Sequence, residues 1–443
     1  MADTTLDQRR GANVQHSYTQ QQLLGTQEQV YSWSNVNWFH TILLTATLAL
    51  AAYGIATTPL NWKTGVWSFV WYSCAGLGIT AGYHRLWSHK SYSASTLYQT
   101  IFAFFGASAF QGSILWWSRK HRQHHRYTDT PKDPHSAKQG ALWCHVGWML
   151  VKQRRENRGV VDVRDLDGLW IVRWQHKYYL PIAVFGSFVF PMLVAGLGWG
   201  DWRGGLFYAG ITRQVLLHHA TFCVNSLAHL LGTQPFDDRL TPRNHFITAL
   251  VTFGEGNHNF HHEFPNDYRN GVKWWEYDPT KWVIWAASLV GLTWGLKEFE
   301  EGEIRKGELT MVEKKIQEEK GMLDFGEPVE ELPKWTFAEF KAHAPADQLL
   351  AIDGVVYTVK EFMHQHPGGA NLLKFSIGHD VTYQFNGGVY FHNNAARNWL
   401  AKFRVAHIAD PALEAASTSD SVMDDDEAWA DVARGREVKA KSV

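Results

Sequence analysis

His121-Arg122-Gln123-His124-His125 is the stretch on which the reading of this chain turns. Its three histidines fall at i, i+3 and i+4, the spacing that places side chains on one face of a helix. Three imidazoles beside Arg122 and Arg126 make a poor core face and a poor coiled-coil seam, but a good face for a metal ion. Two clusters of the same kind lie outward from it. His84-Arg85-Leu86-Trp87-Ser88-His89 precedes it, and His258-Asn259-Phe260-His261-His262 follows with i, i+3, i+4 spacing again. Asn225 and His229 add an i, i+4 pair in the last turns of an apolar segment. The five-residue step from His84 to His89 does not suit one face of an α-helix, because it leaves the two side chains ~140° apart. They converge only where the helix ends or distorts.

Imidazole-only clusters suit iron, copper or zinc. Zinc sites are usually filled by four ligands. Nine histidines (His84, His89, His121, His124, His125, His229, His258, His261 and His262) are enough for two metals with open positions. Two irons that bind O2 between them oxidise a C–H bond that no acid or base attacks. His135, His145, His218, His219 and His245 lack this spacing and are read as structural or supporting residues.

At 443 residues the chain is long enough for two domains, and a net charge of -1 gives no sign of a nucleic-acid partner. Cys74, Cys144 and Cys223 are scattered, without disulfide or zinc-ribbon spacing. The 22 tryptophans are unusual, and Trp and Tyr crowd membrane interfaces. Residues 1–32 form a polar tail without the apolar core of a secretory signal.

Four stretches approach the ~20 apolar residues that span a bilayer, at about 36–60, 65–83, 178–200 and 204–232. The fourth carries Arg213, His218, His219, Asn225 and His229, and polar residues inside a span mark functional sites. A fifth run, Ile101 to Trp117, sits at the lower limit of length. If it crossed, His121 would face away from His84, so it is read as lying in or dipping into the membrane surface. The segment Ser118 to Lys177 carries 13 lysines and arginines, whereas the short links between paired spans hold only Lys63 and Arg203. By the positive-inside rule that large loop is cytosolic, and four spans then put both termini in the cytosol. The stretch Trp274 to Leu296 is interrupted by Lys281 and reads as an interfacial or core helix.

Residues 297–332 are a charged, helix-prone connector, and residues 333–411 have the composition of a small separate domain. Thr336-Phe337-Ala338-Glu339 and Thr358-Val359-Lys360-Glu361 both have capping-box form, predicting two helix starts. Leu349 to Ile352, Asp353-Gly354 and Val355 to Val359 predict a hairpin with a two-residue turn. His366-Pro367-Gly368-Gly369 follows, where the glycines let something flat approach the backbone, and His392 lies after Gly387-Gly388. Two neutral imidazoles filling both axial positions of a haem iron give electron transfer rather than O2 chemistry. His366 and His392 are the expected pair, with His379 and His407 as competitors for the second place. The tail 412–443 is charged and reads as disordered.

The three ordered histidine boxes, with Asn225-Ser226-Leu227-Ala228-His229 between the second and third, resemble the membrane acyl-CoA Δ9-desaturases of fungi and animals. His366-Pro367-Gly368-Gly369 in its hairpin–helix setting resembles cytochrome b5, and its C-terminal position resembles the fungal form. The resemblance covers about residues 33–296 and 333–410. It implies a helical membrane domain of four transmembrane helices, whose cytosolic helical cap holds a di-iron site, followed by an α+β haem domain. It further implies two iron ions on the nine histidines, with Asn225 reaching one through a water, and haem b on His366 and His392. Arg119 and Lys152 match positions that hold the coenzyme A phosphates, although Lys120 and Phe222 depart from the animal pattern. The implied activity is that of a stearoyl-CoA 9-desaturase. It would insert a cis double bond into a saturated long-chain acyl-CoA such as stearoyl- or palmitoyl-CoA, in the endoplasmic reticulum membrane. O2 and electrons from NADH would be used through a separate cytochrome b5 reductase, since no flavin or dinucleotide fingerprint is present.

Other readings share parts of this pattern. Sphingolipid and front-end desaturases usually carry the haem domain first and a Gln in place of the histidine matched by His258. A hydroxylase would use the same metal site. A membrane electron carrier or metal transporter predicts histidines spread through the depth of the spans, not gathered at one end.

Overall fold

The structure is a computed structural model that describes residues 33–409. The two tails read from the sequence, 1–32 and 412–443, lie outside the described residues. The chain divides into two units, Met1–Val312 and Glu313–Val443.

The first unit is helical. Helix α1 (Trp38–Thr57) is followed by α2 (Trp62–Leu77), which runs directly into a π-helix, Gly78–Ser88. Helices α3 (Thr96–Ala107) and α4 (Ile114–Tyr127) come next, then α5 (Trp170–Lys177) and α6 (Tyr179–Trp199). A second π-helix, Gly205–Thr212, leads into α7 (Arg213–Asn225), with the short α8 (Leu227–Leu230) behind it. Helices α9 (His258–Glu263) and α10 (Pro279–Leu289) complete the unit, along with a two-residue pairing of β1 (Ser93–Ala94) with β2 (Thr293–Trp294).

Local chemistry sets several of these starts. Ser95 and Ser113 accept from the backbone N–H groups of Tyr98 and Trp116, capping α3 and α4. Asp278 caps α10 by accepting from Lys281 N, ahead of Pro279 in the first turn. Helices α1 and α6 are each long and apolar enough to cross a membrane, and α1 turns Phe39, Ile42, Leu48, Leu50 and Ile55 outward.

The run Ile101 to Trp117 is not one helix. It splits between α3 and α4 at a turn where Phe110 (φ 56°) and Gly112 (φ 95°) adopt left-handed backbone. Helix α3 crosses the π-helix where Gly78 meets it; a Cβ on Gly78 would lie 2.2 Å from Gly106 N, so only glycine allows this approach. Of the stretch Trp274 to Leu296 only Pro279–Leu289 is helical. Lys281 is 3% exposed, and its ammonium donates to the carbonyls of Gly271 and Lys273.

Beneath the first histidine box lies a buried ionic cluster. The Arg85 guanidinium donates to Asp278 through both terminal nitrogens at 2.9 Å, to Glu255 Oε1 at 3.0 and 3.2 Å, and to Tyr268 O at 2.7 Å. Arg85 is 1% exposed and Asp278 0%. It ties α2 and its π extension to the loops on either side of α9.

The boundary between the units falls within α11 (Glu301–Gly321), a mostly exposed charged helix. The four-stranded sheet of the second unit has the order β3-β6-β5-β4, built from β3 (Lys334–Trp335), β4 (Leu349–Ile352), β5 (Val355–Thr358) and β6 (Arg404–Ile408). Strands β4 and β5 pair antiparallel with Ile352 opposite Val355, and the turn residues Asp353 (φ 50°) and Gly354 (φ 75°) both lie at positive φ, as a two-residue primed turn requires. Thr336 and Glu339 make the reciprocal capping box that starts α12 (Phe337–Asp347). The second capping-box expectation fails. Thr358 remains in β5 opposite Leu349 and its hydroxyl donates to Asp347 O, so no α-helix starts there and only a 3-10 turn, Met363–Gln365, forms. Helices α13 (Ala370–Ser376), α14 (Thr382–Phe385) and α15 (Asn394–Leu400) cover the sheet.

Removing Arg85 would leave Glu255 and Asp278 as unpaired buried carboxylates, a change that costs about 3–5 kcal/mol. Arg85→Met should therefore sharply lower the unfolding temperature of the detergent-purified chain, measured by thermal denaturation. An unchanged value would show that the cluster contributes little.

Candidate metal and haem sites

The π geometry resolves the spacing of the first box. His89 N donates to His84 O at 3.1 Å, an i→i+5 bond, so residues five apart stack on one face. The two rings stand 4.8 Å apart. Helix α4 presents His121, His124 and His125, and α9 presents His258, His261 and His262. Asn225 and His229 do not share one helix. The chain breaks at Ser226 (φ -108°, ψ -72°), and His229 comes from α8.

The nine histidines gather into two adjoining groups. His84, His89, His121, His125 and His261 form one, and His124, His229, His258 and His262 the other, with ligand atoms within 4.8 Å in each. The groups touch through His125 and His262, whose rings are 4.2 Å apart. Each box contributes to more than one partner element, and box two and box three both split between the groups.

The nitrogens that face inward are all Nε2. His84 and His261 are separated by 3.0 Å, His89 and His121 by 2.7 Å, and His125 and His261 by 2.9 Å. In the second group His124–His262, His229–His258 and His258–His262 lie at 3.2, 3.1 and 3.1 Å. Nitrogens bound at about 2.0–2.1 Å to one metal stand about 3 Å apart, so the spacing fits a shared ion in each group.

The outer ring nitrogens show what sets this orientation. His84 Nδ1 lies 2.7 Å from Glu255 Oε2, and His124 Nδ1 lies 2.9 Å from Asp133 Oδ1. His229 Nδ1 is 2.8 Å from Thr241 Oγ1, which in turn donates to Asp129 at 2.7 Å. The hydrogen bond to Asp133 holds the proton on Nδ1 of His124 and leaves its Nε2 as a lone pair, and the negative charge of Glu255 beside His84 Nδ1 favours the same tautomer there. Lone pairs aimed at each other repel unless a cation lies between them. The site therefore fits two metal ions on its own chemistry.

Burial pushes His121, His124, His125, His258, His261 and His262 well below the ordinary imidazole range, with neighbouring histidines adding to the shift.

A cavity of about 430 Å3 opens beside the first group. His121 and Asn225 line it at the metal end, and Trp117, Phe110, Leu43 and Leu180 give it an apolar wall. Arg119 and Lys152 are exposed and do not line it; Lys120 does, donating to Gln153 Oε1 at 2.9 Å. Among the remaining histidines, His135 lines the cavity with its ring 4.3 Å from His124. His145 and His219 pair with each other at 3.1 Å, and His245 caps a short helix. Glu255, Asp133 and Thr241 were not singled out in the sequence. The acidic residues just before box three and nine positions after His124 were the available signals.

In the second unit a cavity of about 590 Å3 is lined by His366 and His392, together with Phe362, Phe385, Leu372 and Phe403. The two imidazoles are stacked with centroids 6.4 Å apart. Nδ1 of His366 meets Gly369 O at 3.3 Å and Nδ1 of His392 meets Phe385 O at 3.0 Å, leaving each Nε2 available to the cavity. Two imidazoles on opposite sides of one iron at about 2.0 Å place their centroids about 6 Å apart, so the pair fits a haem between them. His379 and His407 do not line this cavity.

Two measurements follow. A histidine held below its usual value of about 6.5 refuses a proton that the unfolded chain accepts, so its stability contribution is complete above that value and lost as pH falls below it. Chelator-stripped protein should unfold at a lower temperature at pH about 5.5 than at about 7.5; equal temperatures would contradict the buried neutral cluster. In haem-loaded protein, His392→Ala should abolish the bis-histidine absorption spectrum, whereas His379→Ala and His407→Ala should leave it intact.

Comparison with known proteins agrees with this construction. Residues 60–293 match the fatty acid desaturase family, and residues 336–409 match the cytochrome b5-like heme/steroid binding domain. The chain is 52% identical over 374 residues to a probable acyl-CoA desaturase of Schizosaccharomyces pombe, covering 84% of this chain and 78% of that one. It is 44% identical over 390 residues to acyl-CoA desaturase 1 of Saccharomyces cerevisiae, covering 86% and 76%. Against the stearoyl-CoA desaturase of Homo sapiens it is 35% identical over 279 residues, 62% of this chain and 76% of that one. By extent and identity, with the paired histidine groups at one end of its helices, the chain belongs to the fatty acid desaturase family and carries a cytochrome b5-like domain behind the desaturase domain.

Proposed function

We propose that this chain is an acyl-CoA desaturase that places a cis double bond at Δ9 of saturated long-chain acyl-CoA, stearoyl- or palmitoyl-CoA. The observation that carries this reading is the five-and-four division of nine imidazoles beside an apolar cavity. The named relatives, acyl-CoA and stearoyl-CoA desaturases, support the choice of substrate.

When bound, the two irons supply O2 reduction and hydrogen abstraction from an unactivated C–H bond, and the haem supplies electrons one at a time. The chain's own residues do the rest. The nine imidazoles, with Asn225 beside them, would hold the irons, and His366 and His392 would hold the haem. Glu255 and Asp133 keep protons on the outer nitrogens of His84 and His124, so their inner nitrogens stay free to bind. The wall of Trp117, Phe110 and Leu43 excludes water from the acyl chain. Arg119 and Lys152, exposed on the basic surface, hold the head-group phosphates.

The balance of the reaction explains the fusion. Each turnover takes two hydrogen atoms, that is two electrons and two protons, from the substrate, and two further electrons with two protons from outside complete the reduction of O2 to two waters. The second pair comes from NADH through a separate cytochrome b5 reductase. The connector, with α11 at its centre, makes delivery intramolecular.

We read α1, α2 with its π extension, α6 and α7 with the π-helix before it as the four spans of a multi-pass protein of the endoplasmic reticulum membrane, a reading supported by the length and apolar composition of α1 and α6. The basic segment Ser118 to Lys177 favours a cytosolic active site, with both termini on the same side.

The decisive test supplies stearoyl-CoA, O2, NADH and reductase to detergent-purified, iron- and haem-loaded protein, and locates the double bond by mass spectrometry. Oleoyl product is expected. His124→Ala should abolish product and lower iron content while the haem spectrum stays normal. An iron- and haem-replete preparation that makes no double bond sinks the proposal.

A further inference from the structure

Between α3 and α4 the backbone leaves the helix at Ser108–Gly112, and the polar groups of this turn are buried against other elements. Arg213, at the start of α7, is 2% exposed. Its guanidinium donates to Ser108 O at 2.8 Å, Ser187 O at 3.0 Å and Ala209 O at 3.2 Å. Among the described residues no carboxylate pairs with it; carbonyls take its donors. His218, five residues on, meets Ala109 O at 2.9 Å. From α6, the Ser187 hydroxyl also donates to Ser108 O at 2.9 Å, and the Tyr179 hydroxyl accepts from Gly112 N at 2.8 Å. A Cβ on Gly186 would lie 2.1 Å from Ser108 Oγ, so α6 presses directly on the turn.

Burying a guanidinium without a counter-ion is costly, and non-helical backbone at membrane depth is tolerated only when its polar groups are satisfied within the protein. Here each cost offsets the other. The turn supplies carbonyls to the cation, and the cation fixes the turn. The next residues along the turn, Phe110, Gln111 and Gly112, line the same cavity as His121 and Asn225.

We propose that Arg213 is a positioning residue that fixes the Ser108–Gly112 wall of the cavity and thereby sets which carbon pair of the acyl chain stands at the metal end. This rests on the acyl-CoA desaturase reading. An acyl chain offers many chemically equivalent CH2 pairs, so the choice among them is made by where the cavity wall stops or bends the chain. Arg213 belongs neither to the metal groups nor to the cavity lining, and its hydrogen bonds reach the cavity through the turn.

The test compares the full-length wild type with Arg213→Lys, Arg213→Gln and the milder Ser187→Ala, which removes only one of the two donors to Ser108 O. Iron per chain and the haem spectrum identify folded, loaded protein, and double-bond position is then mapped across a series of saturated acyl-CoA lengths. The expected result is about a tenfold fall in the ratio of the main positional isomer to its neighbours, or a comparable change in chain-length preference, at wild-type iron content. Lower turnover with the wild-type isomer ratio overturns the proposal, because a merely structural role moves rate and not position. If the arginine variants do not fold, an unchanged ratio in Ser187→Ala overturns it. A wild type that makes no double bond at all refutes the desaturase reading itself and is distinguishable from either result.

Discussion

Convergent lone pairs are the constraint around which the first unit is built. Neutral imidazoles anchored through Nδ1 point electron pairs inward, and several such pairs about 3 Å apart are tolerable only around a cation. That requirement accounts for the carboxylates at Glu255 and Asp133 and for the burial of the clusters. Arg85 extends the same chain of dependence outward, since it fixes Glu255, which fixes His84. Metal binding and folding are coupled in such an arrangement, because the ligand groups are brought together only by the folded chain.

The second unit solves a similar problem with different means. Backbone carbonyls of Gly369 and Phe385, not carboxylates, hold the outer nitrogens of His366 and His392. A neutral carbonyl adds less electron density to the imidazole than a carboxylate does. The choice suits a haem iron that passes electrons, whereas in the first unit His84 and His124 are backed by carboxylates and His229 by the Thr241 hydroxyl.

Much of this was legible in the residues themselves. Box spacing announced the metal faces, since ligand chemistry is carried by residue type and i, i+3, i+4 periodicity. Asp353-Gly354 announced its turn because few other pairs adopt positive φ twice. What stayed hidden depends on contacts between distant residues. His84 meets His261 across 177 positions, so the division of the boxes into five and four is a property of the fold. Thr358 failed as a cap because a strand partner and Asp347 O claimed it first. The break at Ser226, which hands His229 to a separate turn, left no mark that local pattern could show.

The π-helix at Gly78–Ser88 carries a consequence for how this sequence can change over evolutionary time. A π turn holds one residue more than an α turn, and its i→i+5 bond joins the two histidines of the first box. Losing one residue between them would let the segment relax to ordinary α geometry with the histidines at i, i+4, still on one face. The segment beyond would then rotate relative to the helix that feeds it, carrying Arg85 or His89 out of register. A deletion here therefore costs the register of the buried Arg85 cluster even though either helix type could carry two ligands. The four intervening residues record the helix type as plainly as the histidines record the metal.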